Sequence, residues 1–189
     1  MRIIAGEWRG TRLAALGKGD ARAHLRPTSD RVRESLFSML AGGRFGDPIT
    51  GARVLDLFAG TGALGLEALS RGAARATFVE NGRTALGLLS DNITRCRAEA
   101  RTCVVTRDAT RPGPGTPHDL IFLDPPYGKG LGEAALAAAL ARGWLAPDAL
   151  VIWEESAAIV PPAGLTLLDH RHYGKTGISL LRAHAGQAA

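Results

Sequence analysis

The chain has 189 residues, 46% of them hydrophobic, enough for one good core and too short for two independent enzyme-sized domains. Its formal charge of +5 and sequence pI of about 9.9 favour a polyanionic partner, because neutralising phosphates releases condensed counterions. Cys96 and Cys103 make neither a disulfide framework nor a metal cluster, Met1 to Glu7 lack the apolar stretch of a signal peptide, and no apolar run approaches the roughly 20 residues needed to span a bilayer, so a reduced, cytoplasmic protein that is neither secreted nor membrane-embedded is expected.

The first fifty residues are rich in arginine and glycine and poor in long apolar runs. Arg2, Arg9, Arg12, Lys18, Arg22, Arg26, Arg31, Arg33 and Arg44 outnumber the acids of the same stretch. Residues 1–50 therefore read as a basic, RNA-binding appendage to a main domain over 51–189. Within the appendage, Val32, Leu36, Met39 and Leu40 fall on one helical face, and Thr28 or Ser29 is a candidate cap for that helix.

From Arg53 onward, short aliphatic runs alternate with Ala/Leu-rich stretches of helical period, the pattern of a parallel sheet covered by helices on both faces. Strands are expected at Val54 to Phe58, Ala76 to Glu80, Thr102 to Thr106, Asp119 to Leu123 and Leu150 to Trp153, each apolar enough for burial on both faces. Helices are expected at Ala63 to Ser70, Arg83 to Cys96 and Gly132 to Ala141. Past Pro161-Pro162, Leu165 to Leu168 and Ile178 to Arg182 flank Tyr173-Gly174-Lys175-Thr176-Gly177 and read as an antiparallel hairpin. The fold class is thus α/β, Rossmann-like, with a mostly parallel sheet ending in an antiparallel hairpin.

Val54 to Gly65 is an apolar strand running into a Gly-x-Gly-x-x-Gly turn and then a helix. Phe58, Ala59, Gly60, Thr61 and Gly62 form the turn, whose backbone can approach a ligand closely while the helix start offers unpaired N–H groups. By itself this turn fits a dinucleotide as well as S-adenosylmethionine. Two acids shift the balance toward S-adenosylmethionine. Asp56 suits a cationic sulfonium better than a pyrophosphate, and Glu80, 20 residues after Gly60, is placed to accept from both ribose hydroxyls. Asp108, ending the third strand, is a candidate acceptor for the adenine amino group. With Asn81, Ala109 and Asp124, these complete the candidate cofactor-binding set.

The fourth strand delivers Asp124-Pro125-Pro126-Tyr127, the candidate catalytic loop. The amino nitrogen of a base is a poor nucleophile because its lone pair is delocalised into the ring. Two acceptors aimed at its protons pull it toward tetrahedral geometry: the Asp124 carboxylate and the Pro125 carbonyl. Consecutive prolines hold both in place before substrate arrives. Tyr127 offers a ring for an extruded base, a contact that contributes about 1–3 kcal/mol. Neither cysteine lies in this loop, which disfavours carbon-5 pyrimidine methylation, and transfer needs no metal. The same loop suits an adenine N6 amine of DNA or another RNA. A non-catalytic RNA-binding assembly factor with this fold and a nicotinamide oxidoreductase are the remaining alternatives.

Arg2-Ile3-Ile4-Ala5-Gly6, Trp8-Arg9-Gly10, Arg26-Pro27-Thr28, Arg31-Val32-Arg33-Glu34, Asp56 to Gly62 and Asp124 to Tyr127, taken together, resemble the bacterial 16S rRNA guanine-N2 methyltransferase family over nearly the whole chain. The glycine turn and Asp-Pro-Pro-Tyr occur in many amino methyltransferases; the Arg-Pro-Thr segment points to this family. The resemblance implies the seven-stranded methyltransferase fold, S-adenosylmethionine as donor, and a guanine of 16S rRNA, the guanine 966 type, in the 30S subunit or its assembly intermediate. It also implies that Arg26, Thr28, Arg31 and Arg33 lie on the RNA side near the active site. Arg9, from the same basic stretch, and Lys129, beside the catalytic loop, join them as candidate RNA contacts, and a monomer is expected.

Other features read as structural. Gly174-Lys175-Thr176 lacks the upstream glycine of a phosphate loop, since Asp169 stands in its place. The five histidines have no metal-ligand spacing. Glu154 and Glu155 read as a solvated strand end.

Overall fold

The alternation of short apolar runs with helical stretches builds one seven-stranded sheet: β1 (Arg53–Leu57), β2 (Arg75–Val79), β3 (Thr102–Val105), β4 (His118–Leu123), β5 (Leu145–Glu155), β6 (Leu165–Tyr173) and β7 (Thr176–Ala183). The helices are α1 (Asp30–Ala41), α2 (Ala63–Ser70), α3 (Arg83–Arg95) and α4 (Leu131–Ala141). This computed structural model describes residues 1–15, 30–157, 159–174 and 176–184. The strand order is β3-β2-β1-β4-β5-β7-β6; β1 to β5 are parallel where they pair, and β7 runs antiparallel to β5 and β6. The chain leaves β1 for β2 and β3 on one side, then crosses to β4 on the other. That reversal is where open α/β sheets place their ligands.

Side-chain alternation sorts the central strands into two cores. Val54, Leu120, Phe122, Leu150 and Ile152 pack beneath Leu36, Phe37, Leu66, Leu69 and Leu89 on α1, α2 and α3. Leu55, Leu57, Ile121, Leu123, Val151 and Trp153 pack against Ala135, Leu136 and Ala139 of α4. The rings of Phe37 and Phe122, 5.7 Å apart, join α1 to the sheet; such a pair is worth about 0.5–1.5 kcal/mol beyond its buried area.

Three expectations change. β3 is an edge strand, so Cys103 and Val104 are exposed instead of buried on both faces. β5 begins five residues earlier than its apolar run, because a bulge between the pairs His118↔Leu145 and Leu120↔Leu150 takes up Ala146-Pro147-Asp148-Ala149, a stretch that looks like a turn in sequence. The hairpin strands are also longer, reaching Tyr173↔Thr176 across Gly174.

Residues 1–15 are docked onto the domain rather than hung from it. They fold back on themselves through Ile3 N–H to Thr11 O at 3.0 Å and Gly10 N–H to Ile3 O at 2.9 Å. The Glu67 carboxylate on α2 accepts from Ile4 N–H (2.8 Å) and Ala5 N–H (3.1 Å), and the Ser70 hydroxyl donates to Ala5 O (2.6 Å). Gly6, at φ 85°, lies so close to the Ser70 carbonyl that a Cβ would stand 1.8 Å from its oxygen. Only glycine fits there.

Candidate active site

β1 and β4 are neighbours in register, with Leu57 opposite Leu123. The two chains therefore leave the sheet side by side, Phe58 into the glycine turn and Asp124 into Asp-Pro-Pro-Tyr. The two candidate loops, 66 residues apart in sequence, share one edge of the sheet.

The glycine turn is held from three directions. Phe58 has φ 59°, a left-handed conformation that a bulky side chain rarely adopts and that stores about 1–3 kcal/mol of strain at functional sites. Ala59 N–H donates to Val79 O at 3.1 Å, and Gly60 N–H donates to Glu80 Oε2 at 2.8 Å. From below, Asn92 Nδ2 on α3 donates to Thr61 O at 2.9 Å. Gly62, at φ 77°, starts α2 with no room for a Cβ, which would sit 2.4 Å from Leu89 Cδ1.

Asp56 and Glu80, the two acids expected at a cofactor, have different surroundings. Asp56 is buried on the helix side of β1, where its Oδ2 accepts the Gly65 N–H at 2.9 Å. Burial, with Glu80 adding repulsion, pushes its carboxyl up to about 8, offset in part by that hydrogen bond. It anchors the start of α2 and acts on the turn from behind. Glu80 is half-buried; besides Gly60 it accepts from Asn81 N–H (2.9 Å) and Gly82 N–H (2.7 Å). A carboxylate has about four acceptor directions, so its capacity extends beyond these three bonds.

A small cleft at the ends of β2 and β3 is lined by Phe58, Val79, Glu80, Asn81, Arg107, Asp108 and Ala109. Five of these seven are candidate cofactor residues from the sequence. Asp108 lies below the usual carboxylate range because Thr110 donates to its Oδ1 from both N–H and hydroxyl, each at 2.8 Å. A wider hollow of about 370 Å³ opens at the opposite edge of the sheet, beside Asp47, Asp119 and Arg182. Asp119 there is already bound to Arg53 at 2.9 and 2.7 Å, and the chemistry of an open α/β sheet belongs at the carboxyl edge.

In the second loop Pro125 is buried, and Asp124, Pro126 and Tyr127 are half-buried. The Tyr127 hydroxyl donates to Glu154 Oε1 at 2.5 Å. Burial, then the bond to Glu154, raises the phenol well above its usual range, with Asp124 adding to the effect. Glu154 is thus not the solvated strand end expected: it is 9% exposed, at the carboxyl edge of β5, whose Trp153 lies opposite Leu123. The clue available in sequence is positional, an acid following an apolar strand parallel to β4.

The candidate RNA contacts separate. Arg9, Arg31 and Lys129 are exposed, and Arg26 and Thr28 lie outside the described residues. Arg33 is a correction. Fully buried, its Nη2 donates to Arg2 O and to Asp30 Oδ1 (3.0 Å), and its Nε lies 3.9 Å from Glu67 Oε2. In the charged run from Asp30 to Glu34 such an arginine reads as surface-bound. Its helical phase, one turn before the buried pair Leu36 and Phe37, directs it into the core instead, where it braces the N-terminal segment. Asn92, Glu67 and Ser70 support the site with no sign of that role in the sequence. Asn92 also clasps Ala14 through both backbone groups, at 2.6 and 3.1 Å, tying the N-terminal segment to the glycine turn. Among the described residues no group of three or more His, Cys, Asp or Glu side chains could hold a metal ion, and no helix is long and apolar enough to cross a membrane.

The chain is similar to known proteins over nearly its whole length. The family model described as Conserved hypothetical protein 95 matches residues 1–182. Ribosomal RNA small subunit methyltransferase D of Escherichia coli (strain K12) is 39% identical, covering 98% of this chain and 91% of that protein. The protein of the same name from Haemophilus influenzae is 36% identical, covering 92% and 89%. A solved structure described as a putative methyltransferase, yhhF, from Escherichia coli superposes with a TM-score of 0.83 at 40% identity, covering 98% of both chains. The chain belongs to the Conserved hypothetical protein 95 family, that of ribosomal RNA small subunit methyltransferase D.

Proposed function

We propose that this enzyme transfers a methyl group from S-adenosylmethionine to the exocyclic N2 amine of a guanine in 16S rRNA, presented by the 30S subunit or its assembly intermediate. The observation that carries this reading is the side-by-side exit of the glycine turn and Asp124-Pro125-Pro126-Tyr127 from β1 and β4.

The residues at the sheet edge fit the donor. Glu80 suits the ribose hydroxyls, Phe58 and Ala109 flank the space for the adenine, Asn81 and Asp108 stand at its rim, and the turn from Ala59 to Gly62 brings backbone close to the methionine end. S-adenosylmethionine supplies an electrophilic methyl group on a sulfonium. The protein's part is alignment and polarisation. Asp124 accepts one amine hydrogen, the Pro125 carbonyl accepts the other, and the consecutive prolines keep both acceptors fixed. Tyr127 gives the flipped base a stacking face. Arg9, Arg26, Thr28, Arg31 and Lys129 hold the RNA, mostly through phosphates. The protein works as a monomer in the cytoplasm and uses no metal.

Nucleoside mass spectrometry of 16S rRNA from cells lacking the gene tests the proposal. Loss of N2-methylguanosine at one site, restored by incubating purified 30S subunits with the protein and S-adenosylmethionine, is expected. Unchanged N2-methylguanosine, with loss of N6-methyladenosine instead, would replace it with adenine methylation.

A further inference from the structure

We propose that Glu154 reads the N1–H edge of the target purine and thereby restricts the site to guanine. The inference rests on guanine N2 as the methyl acceptor and adds the residue that selects it.

β4 and β5 are parallel and in register at Leu123↔Trp153, so Asp124 and Glu154 are the next residues on two adjacent strands. Both carboxylates sit at the edge where the catalytic loop leaves the sheet, and both bear on the Tyr127 hydroxyl. Glu154 is only 9% exposed, and the Tyr127 hydroxyl, donating to it at 2.5 Å, fixes the orientation of its head group. Glu155, one residue on, is the half-buried acid at the strand end and bonds to its own neighbour Ser156, so solubility of the strand end does not call for a second acid at 154.

The purine edge supplies the match. Guanine presents N1–H and N2–H side by side, both donors; adenine presents an unprotonated N1 and no 2-amino group. In the proposed pose the N2 amine lies at Asp124 and the ring on Tyr127, with N1 as the ring position turned toward β5, the strand that carries Glu154. A guanine N1–H then gives Glu154 a charge-assisted hydrogen bond. An N1 lone pair would meet a carboxylate head-on, and sites built to bond an N–H reject analogues lacking it by large factors. Glu154 is in this sense a specificity-determining residue, while Asp124 acts on the reacting nitrogen.

The test uses 30S subunits assembled with 16S rRNA carrying either guanine or 2-aminopurine at the target position. 2-Aminopurine keeps the 2-amino group and has an unprotonated N1. The wild-type protein is expected to prefer guanine in kcat/KM by about 100-fold or more. Glu154→Gln, whose amide can donate to an unprotonated N1, is expected to bring that ratio within about tenfold while S-adenosylhomocysteine affinity stays unchanged. A loss of folding would lower both substrates together and leave the ratio as it was. The same ratio in wild type and Glu154→Gln overturns the proposal, as do equal wild-type rates on the two bases, a result that needs no variant. Methylation of neither base by the wild type would instead overturn the guanine-N2 assignment, and this inference with it.

Discussion

Glu80 and Gly60, 20 residues apart in sequence, are joined by a 2.8 Å hydrogen bond from the Gly60 N–H to Glu80 Oε2. That bond ties the end of β2 to the turn after β1, so the acid assigned to the ribose also shapes the loop around the donor. Glu80→Ala leaves three backbone N–H groups without this acceptor and removes the proposed ribose contact. S-adenosylhomocysteine affinity, measured by calorimetric titration, is expected to fall at least about tenfold, with a stability loss of about 1–3 kcal/mol. An unchanged dissociation constant would remove Glu80 from the cofactor site.

Asp56 ties its own pH dependence to the same turn. Its carboxyl is raised to about 8 in the folded protein, so between the unfolded carboxylate range and pH 8 the native state holds a proton that the unfolded chain has released. Its contribution is therefore fully present below about pH 4 and is lost as pH rises through 8, at up to about 1.4 kcal/mol per unit. Asp56→Asn, which keeps an acceptor for the Gly65 N–H, removes this slope. Urea unfolding from pH 5 to 9 is expected to show the variant gaining on the wild type as pH rises; parallel curves would contradict the assignment.

Arg33 and Arg31 stand two positions apart in opposite surroundings, the first buried and the second exposed. Arg33→Ala removes the donor to the Arg2 carbonyl and the more distant of the two cations beside Glu67, which keeps Arg71 at 2.7 Å, and loosens the N-terminal segment at about 1–3 kcal/mol. Arg31→Ala, on the exposed side of α1, is expected to change stability by less than about 0.5 kcal/mol and to weaken RNA binding with a shallower salt dependence. Urea denaturation and filter binding at several salt concentrations separate the two. Equal stability losses would refute the distinction.

Much of this is legible in the sequence because it is local. The strands β1, β2 and β4 announce themselves as apolar runs, α2 begins and ends where its pattern does, and the glycine turn and Asp-Pro-Pro-Tyr carry their chemistry in consecutive residues. What stays hidden depends on partners distant in sequence. Arg33 is indistinguishable from a solvated arginine until Glu67 and the Arg2 carbonyl are brought beside it. Glu154 becomes part of the site only through the register of β5 on β4 and the reach of Tyr127 across 27 residues. The first fifty residues look detached by composition, yet the Gly6–Ser70 approach and the clasp of Asn92 on Ala14 seat residues 1–15 on the main domain.

The two cysteines are expected to differ in reactivity. Burial pushes the Cys96 thiol up to about 11, whereas Cys103 is exposed on the edge strand β3. Native protein treated with a thiol reagent at pH 8 is expected to lose one thiol quickly, at Cys103 by peptide mapping, and the second only on unfolding. Rapid labelling of both would contradict the packing around α3.

In the proposed mechanism Asp124 polarises the acceptor amine and does not hold the donor. Methyl transfer by Asp124→Ala to 30S subunits lacking the modification, measured with labelled S-adenosylmethionine beside S-adenosylhomocysteine titration, tests it most directly. A loss of at least about a hundredfold in transfer is expected, with affinity for S-adenosylhomocysteine kept within about tenfold. Transfer at the wild-type rate would contradict it.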